Sequence, residues 1–143
     1  MAPETSEPVP FSELVRRRSP EQWIALSLQE LSKARAAFGQ RDATGGISGA
    51  KRAAGMALNA ALVVRPRPSW GRTYVEHLRA LSDDAAAPPP VQRAARELLG
   101  ARGPSSGVIG LGTPGRDERL IEAARTVMAH GYALAFGATG KLE

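Results

Sequence analysis

The chain of 143 residues has no cysteine, which excludes a disulfide framework and any thiolate metal site. It has only two histidines, and no His/Glu pair at helical i, i+4 spacing; Glu76 and His77 are adjacent and face different ways on a helix. Asp83-Asp84 and Asp117-Glu118 read as ordinary loop and first-turn acids. No metal and no cofactor is therefore expected. No apolar run approaches the roughly 18–20 residues of a membrane span, and Met1–Pro10, with Glu4 and Glu7, lacks the apolar centre of a signal peptide. The expected location is cytoplasmic, away from a membrane. Lysine is also scarce: 3 Lys stand against 16 Arg, a bias that goes with the abundant Ala, Gly and Pro of a GC-rich genome. The net charge of +5 and pI of about 10.4 favour an anionic partner such as RNA. Yet the cations are interspersed along the chain, with Arg16–Arg18 the only run, so a plain solvated surface or a protein partner fits as well.

What is present is helical periodicity, and no segment alternates as a strand would. Residues 1–18, with prolines at 3, 8 and 10, read as a flexible N-terminal arm on which Phe11, Leu14 and Val15 can dock as a short turn. Ser19-Pro20-Glu21-Gln22 is a capping-box start for a helix to about Gly39, where a left-handed cap is expected. Trp23, Leu26, Leu31, Ala34 and Phe38 give it an apolar face. Asp42–Gly46 reads as a turn, followed by a helix over about Ile47–Val64. Its Gly49, Ala53, Ala57, Ala60 and Ala61 form a small-residue stripe that lets neighbouring helices approach, and Asn59 reads as a surface or hydrogen-bonded core amide. Pro66 and Pro68 break the chain, and Ser69 is expected to cap a third helix, Trp70–Leu81. Asp83–Pro90 is a proline-rich linker before a short helix, Val91–Leu99, ended by Gly100. Gly100–Gly115 reads as a mobile loop, and the closing helix is expected at Arg116–Phe136. The fold expected is an all-α, antiparallel four- to five-helix up-and-down bundle: one domain over 19–138, with a tail at 139–143 that in part resembles a cloning scar.

Gly110-Leu-Gly112-Thr-Pro-Gly115 spells a dinucleotide fingerprint but lacks the preceding strand, and Pro114 removes an amide the pyrophosphate would need. Gly45–Lys51 lacks the ending of a P-loop. No Ser-His-Asp arrangement is supported, because neither histidine has an orienting acid at a persuasive spacing.

The remaining candidates pair arginine with histidine. Arg125, His130 and Tyr132 lie together in the closing helix as Arg-x4-His-x-Tyr, and Arg72 with His77 repeats the Arg-x4-His spacing as a second pair. A neutral imidazole can take the proton of a ribose 2′-hydroxyl while a guanidinium stabilises the charge that develops on the phosphorus. About one residue in nine is arginine, so such spacings also arise by chance, and the same residues serve equally as surface decoration on a structural helix.

From about residue 20 to 137 the chain resembles a HEPN domain, a small prokaryotic helical bundle. The resemblance lies in the first amphipathic helix, the Ala-rich Ser48–Val63 helix, Tyr74-Val-Glu-His-Leu-Arg-Ala-Leu81, and the closing Glu122-Ala-Ala-Arg125. It implies a homodimer. In nuclease members it implies metal-independent RNA cleavage by an Arg-x4–6-His motif, which Arg125 and His130 match, with Tyr132 as the trailing tyrosine. Thr126 stands where such motifs usually carry Asn, Asp or another polar group, and many members are binding or scaffold modules without nuclease activity. The first expectation is therefore a non-enzymatic, dimeric helical interaction module with an RNA or protein partner. The alternative is a metal-independent HEPN-type endoribonuclease. A third reading, a small-molecule pocket beside the small-residue stripe, calls for a cavity lined by Trp23, Met56 and Tyr74.

Overall fold

The computed structural model describes residues 10–102 and 115–137. All regular structure among them is helical: α1 (Phe11–Val15), α2 (Pro20–Gly39), α3 (Ala43–Val64), α4 (Tyr74–Ser82), α5 (Pro89–Gly100) and α6 (Arg116–Phe136), with a 3-10 turn at Pro68–Trp70. This is the expected all-α bundle. The expected mobile loop, apart from its ends, and the tail at 139–143 lie outside the described residues.

The capping box that opens α2 forms as read. The Ser19 hydroxyl accepts from the Gln22 amide at 3.1 Å, and the Gln22 side chain accepts from the Ser19 amide at 2.8 Å. At the other end Gly39 stays helical, and the left-handed residue is Arg41, φ 64°. The chain reverses there because Asp42 at once caps the next helix, its carboxylate accepting from the Gly45 amide at 2.9 Å. So α3 begins at Ala43 rather than Ile47, and Gly45-Gly46 is its first turn, not a loop.

α3 is the centre. It packs on α1, α2, α4, α5 and α6, and from Ala53 to Leu62 all but Met56 are buried. The small-residue stripe is used for close contact, and the cleft that borders Trp23 and Tyr74 takes in Asn59 rather than Met56. The Phe38 ring sits on Gly46, Ala34 on Gly49 and the Tyr74 ring on Gly55. α6 returns the arrangement, because Gly131 lies on the α3 backbone at Ala57. α2 and α3 are antiparallel: Phe38 meets Gly46, Ala34 meets Gly49, and Glu30 pairs with Arg52 at 2.9 Å. Lys51 donates to the Ala101 carbonyl at 3.2 Å, so an α3 cation meets the carbonyl end of α5.

The expected third helix is two pieces. Its cap is Thr73, not Ser69: the Thr73 hydroxyl accepts from the Glu76 amide, and Glu76 accepts in return from the Thr73 and Arg72 amides. Gly71, φ 73°, makes the left-handed turn that separates this box from Trp70. Part of the N-terminal arm is built into the domain. α1 buries Val15 against the core, and the Trp23 indole donates to the Val15 carbonyl at 2.8 Å.

The close approach of α6 to α3 is testable. A Cβ on Gly131 would stand 2.6 Å from the Ala57 carbonyl oxygen and 2.8 Å from its carbon, both backbone atoms that cannot swing away. Gly131→Ala is expected to destabilise the fold by about 1–3 kcal/mol despite the gain in helix propensity. Gly100→Ala, where nothing lies within 4 Å, should be neutral or stabilising by up to about 1 kcal/mol. Urea unfolding of the two variants checks both.

Candidate functional site

The two Arg-x4-His pairs have different fates. His77, in the first turn of α4, is fully buried. Its Nδ1 lies 2.8 Å from the Trp70 carbonyl oxygen, and its Nε2 lies 3.0 Å from the Asn59 amide group. The rings of Phe11, Trp70 and Tyr74 surround it at 5.5, 6.3 and 6.2 Å. Burial pushes its pKa below the ordinary 6.5, so the imidazole is neutral and has one N–H to give. That N–H is on Nδ1 and donates to the Trp70 carbonyl. Nε2 then accepts, which requires the Asn59 amide to turn its NH2 toward the ring. Both ring nitrogens are thus spent inside the fold, tying α3 and the 3-10 turn to α4. Arg72 stays outside, its guanidinium 6.0 Å above the Phe11 ring. This pair is not brought together as a catalytic couple.

On α6 the three candidates separate by helix geometry. Arg125 is exposed and faces Glu122 at 3.8 Å. Tyr132, seven residues on, returns to the same side and packs on Phe136, ring centroids 4.6 Å apart. His130 lies about 140° around the helix from Arg125. It is half-buried. Its pKa is lowered, first by burial and further by the positive charge of Arg67, while Asp84 opposes the shift. The Thr126 hydroxyl donates to the Glu122 carbonyl of its own helix at 3.0 Å, which takes it out of the motif.

The charges that act on the His130 titration are those of Asp84 and Arg67. Sequence spacing could not supply them, because they come from the 3-10 region and from the end of α4. The signal that was available is Arg67 between Pro66 and Pro68, a cation held by two fixed φ angles. Among the described residues no group of three His, Asp or Glu could hold a metal.

The buried imidazole predicts a pH signature. A histidine with a depressed folded pKa leaves the unfolded chain the better proton binder below about 6.5, so its contribution is fully present above that pH and is lost as pH falls toward the folded pKa. Stability is expected to drop between about pH 7 and pH 5. His77→Ala should lower stability by about 2–4 kcal/mol at neutral pH, since it opens a cavity and leaves Asn59 and the Trp70 carbonyl unpaired. The same variant should flatten the slope over that pH range. Denaturant midpoints across the range measure both effects.

With the fold and these side chains in place, comparison with known proteins adds no relative: no family model, no curated protein and no solved structure matches the chain.

Proposed function

We propose that this chain is a non-enzymatic, HEPN-like helical interaction module that works as a cytoplasmic homodimer through the outer face of α6. The observation that carries the reading is the pair of aromatic rings left in solvent there. Tyr132 is 52% exposed and Phe136 37%, packed on one another at a tilt, on the side of α6 that also carries Arg125. Soluble surfaces enriched in Tyr, Phe and Arg are characteristic of binding faces. Arg35 and Phe38 of α2 meet Asp117 and Ile121 of α6 along one groove, and helical periodicity carries that groove on to Leu28, 57% exposed, and to Tyr132. A second copy could cover Leu28, Tyr132 and Phe136 by a two-fold contact in which each Tyr132 meets the partner's face, with the charged groove of Arg35, Asp117, Glu118 and Glu122 at its rim.

A metal-independent ribonuclease is the second reading, and His130 favours it. A half-buried neutral imidazole with an arginine and an aspartate in electrostatic reach has the character of a general base. Within one protomer its guanidinium would come from Arg67; Arg125 could serve only from a second copy.

Sedimentation velocity at micromolar concentration should find a dimer, and Tyr132→Asp combined with Phe136→Asp should give a folded monomer, with association weakened at least about 100-fold. A wild-type monomer would sink the proposal. RNA incubated in excess chelator should stay intact with the wild type; cleavage that disappears in His130→Ala would move the reading to the nuclease.

A further inference from the structure

Three neighbouring surface clefts, each sharing lining residues with the next, follow α1, the 3-10 turn and α4. The first is bordered by Arg17, Arg18 and Arg72, with Phe11 and Tyr74. The second shares Arg72 and Phe11 with it and adds Arg67. The third shares Arg67 with the second and adds Arg65 and Ser69. Five arginines line this trough, and the one acid lining it is Asp84, at the far end. The groove between α2 and α6 is the opposite case, with Arg35 facing Asp117, Glu118 and Glu122.

Three of the five guanidiniums are held in place by aromatic rings. Arg18 lies 5.1 Å over Trp23, Arg67 4.9 Å over Trp70, and Arg72 6.0 Å over Phe11. None of the five makes an ion pair among the described residues; the pairs there are Glu30 with Lys33 and Arg52, Glu97 with Arg119, and Glu122 with Arg125. Glu76, the nearest acid on α4, has its carboxylate occupied by the Arg72 and Thr73 amides. Glu13 lines none of the clefts. Stacked cations left without counter-charge have already given up rotamer freedom, so binding an anion orders little more.

We infer that this arginine trough is a docking site for the sugar–phosphate backbone of a nucleic acid. The trough is elongated, which suits a chain of charges better than a single ion. Guanidinium forks match phosphate oxygens two at a time. The rings beneath Arg18 and Arg67 belong to buried tryptophans, 7% and 3% exposed, so they hold the arginines and cannot stack on bases. The recognition is accordingly sequence-independent. The site rests on the reading of this chain as a binding module but takes in none of Arg125, His130 and Tyr132. Dimerisation and backbone binding can therefore fail separately.

Fluorescence anisotropy with a labelled oligouridylate of about 20 nucleotides at low salt tests it on the full chain. The wild type should bind in the micromolar range or tighter, with log affinity falling linearly in log salt. Arg18→Gln/Arg67→Gln/Arg72→Gln should weaken binding at least about tenfold and reduce the salt slope by about 2, at about 0.7 per phosphate contact. A charge-matched control, Arg35→Gln/Arg41→Gln/Arg93→Gln, should stay within about twofold of wild type if location, not net charge, decides. Should the first triple variant fail to fold, Arg17→Gln/Arg65→Gln, which leaves the stacked arginines alone, is compared with Arg35→Gln/Arg93→Gln, and a loss of about threefold or more confined to the former is expected. Equal losses in site and control variants, or no wild-type binding, overturn the proposal. So does polyglutamate competing as well as the RNA at equal charge, which would assign the trough to an acidic protein segment.

Discussion

α3 carries Gly and Ala where an ordinary central helix would carry Leu, and α2, α4 and α6 close on it until side chain meets backbone. Each small residue buries little apolar area of its own. The stabilisation comes instead from what the short distance allows: many dispersion contacts, and the burial of large side chains such as Trp23, Leu31, Leu78 and Val127 on the surrounding helices. The arrangement has little slack. Where Gly131 rests on the Ala57 carbonyl, the missing methyl group is what sets the distance between α3 and α6. That distance also fixes which sides of α6 can face outward, and so leaves Tyr132 and Phe136 in solvent.

The second constraint is polar. His77 is a fully buried titratable group, and it joins three segments, α3, the 3-10 turn and α4. Its bond to the Trp70 carbonyl holds the 3-10 turn down, and its bond to Asn59 fixes α4 along α3. Trp70 is then positioned to carry Arg67, and the turn at Gly71 to carry Arg72. A histidine that reads as a catalytic candidate in sequence thus acts one step removed, by setting the surface on which the arginines stand. Its neutrality follows from the same burial that makes it structural.

Helices whose ends have local chemistry were legible. α2 has its capping box in Ser19 and Gln22, and α6 has acids in its first turn and Gly137 just past its end. The errors fell where two local signals compete. Gly45-Gly46 looks like a turn, yet Asp42 caps a helix that runs through it. Ser69 looks like a cap, yet Thr73 with Glu76 is the stronger box, and Gly71 is free to take the left-handed turn between them. The docking of Phe11 and Val15 was readable from their apolar character, while the indole bond from Trp23 to the Val15 carbonyl, eight residues away, is one that no periodicity reveals. The site was less legible still. Residue types and spacing named Arg125 and His130, but which groups act on a side chain is decided by helix packing, and the charges felt by His130 are those of Asp84 and Arg67.

Charge shows the same limit from the other direction. Along the chain the arginines are scattered among acids, and a count of runs finds only Arg16–Arg18. In space the acids are drawn off. Glu30 is held by Lys33 and Arg52, Glu76 by backbone amides, and Glu97 by Arg119. Two breaks in helical structure, one before α2 and one between α3 and α4, bring Arg17 and Arg18 alongside Arg65, Arg67 and Arg72. Breaks collect charge in this way because residues outside helices have no i, i+4 partner to neutralise them. They keep it because a guanidinium stacked on a buried ring is held where it is and loses little hydration there. A modest net charge is then compatible with a strongly one-signed surface. Where the cations stand relative to the breaks matters more than how many there are.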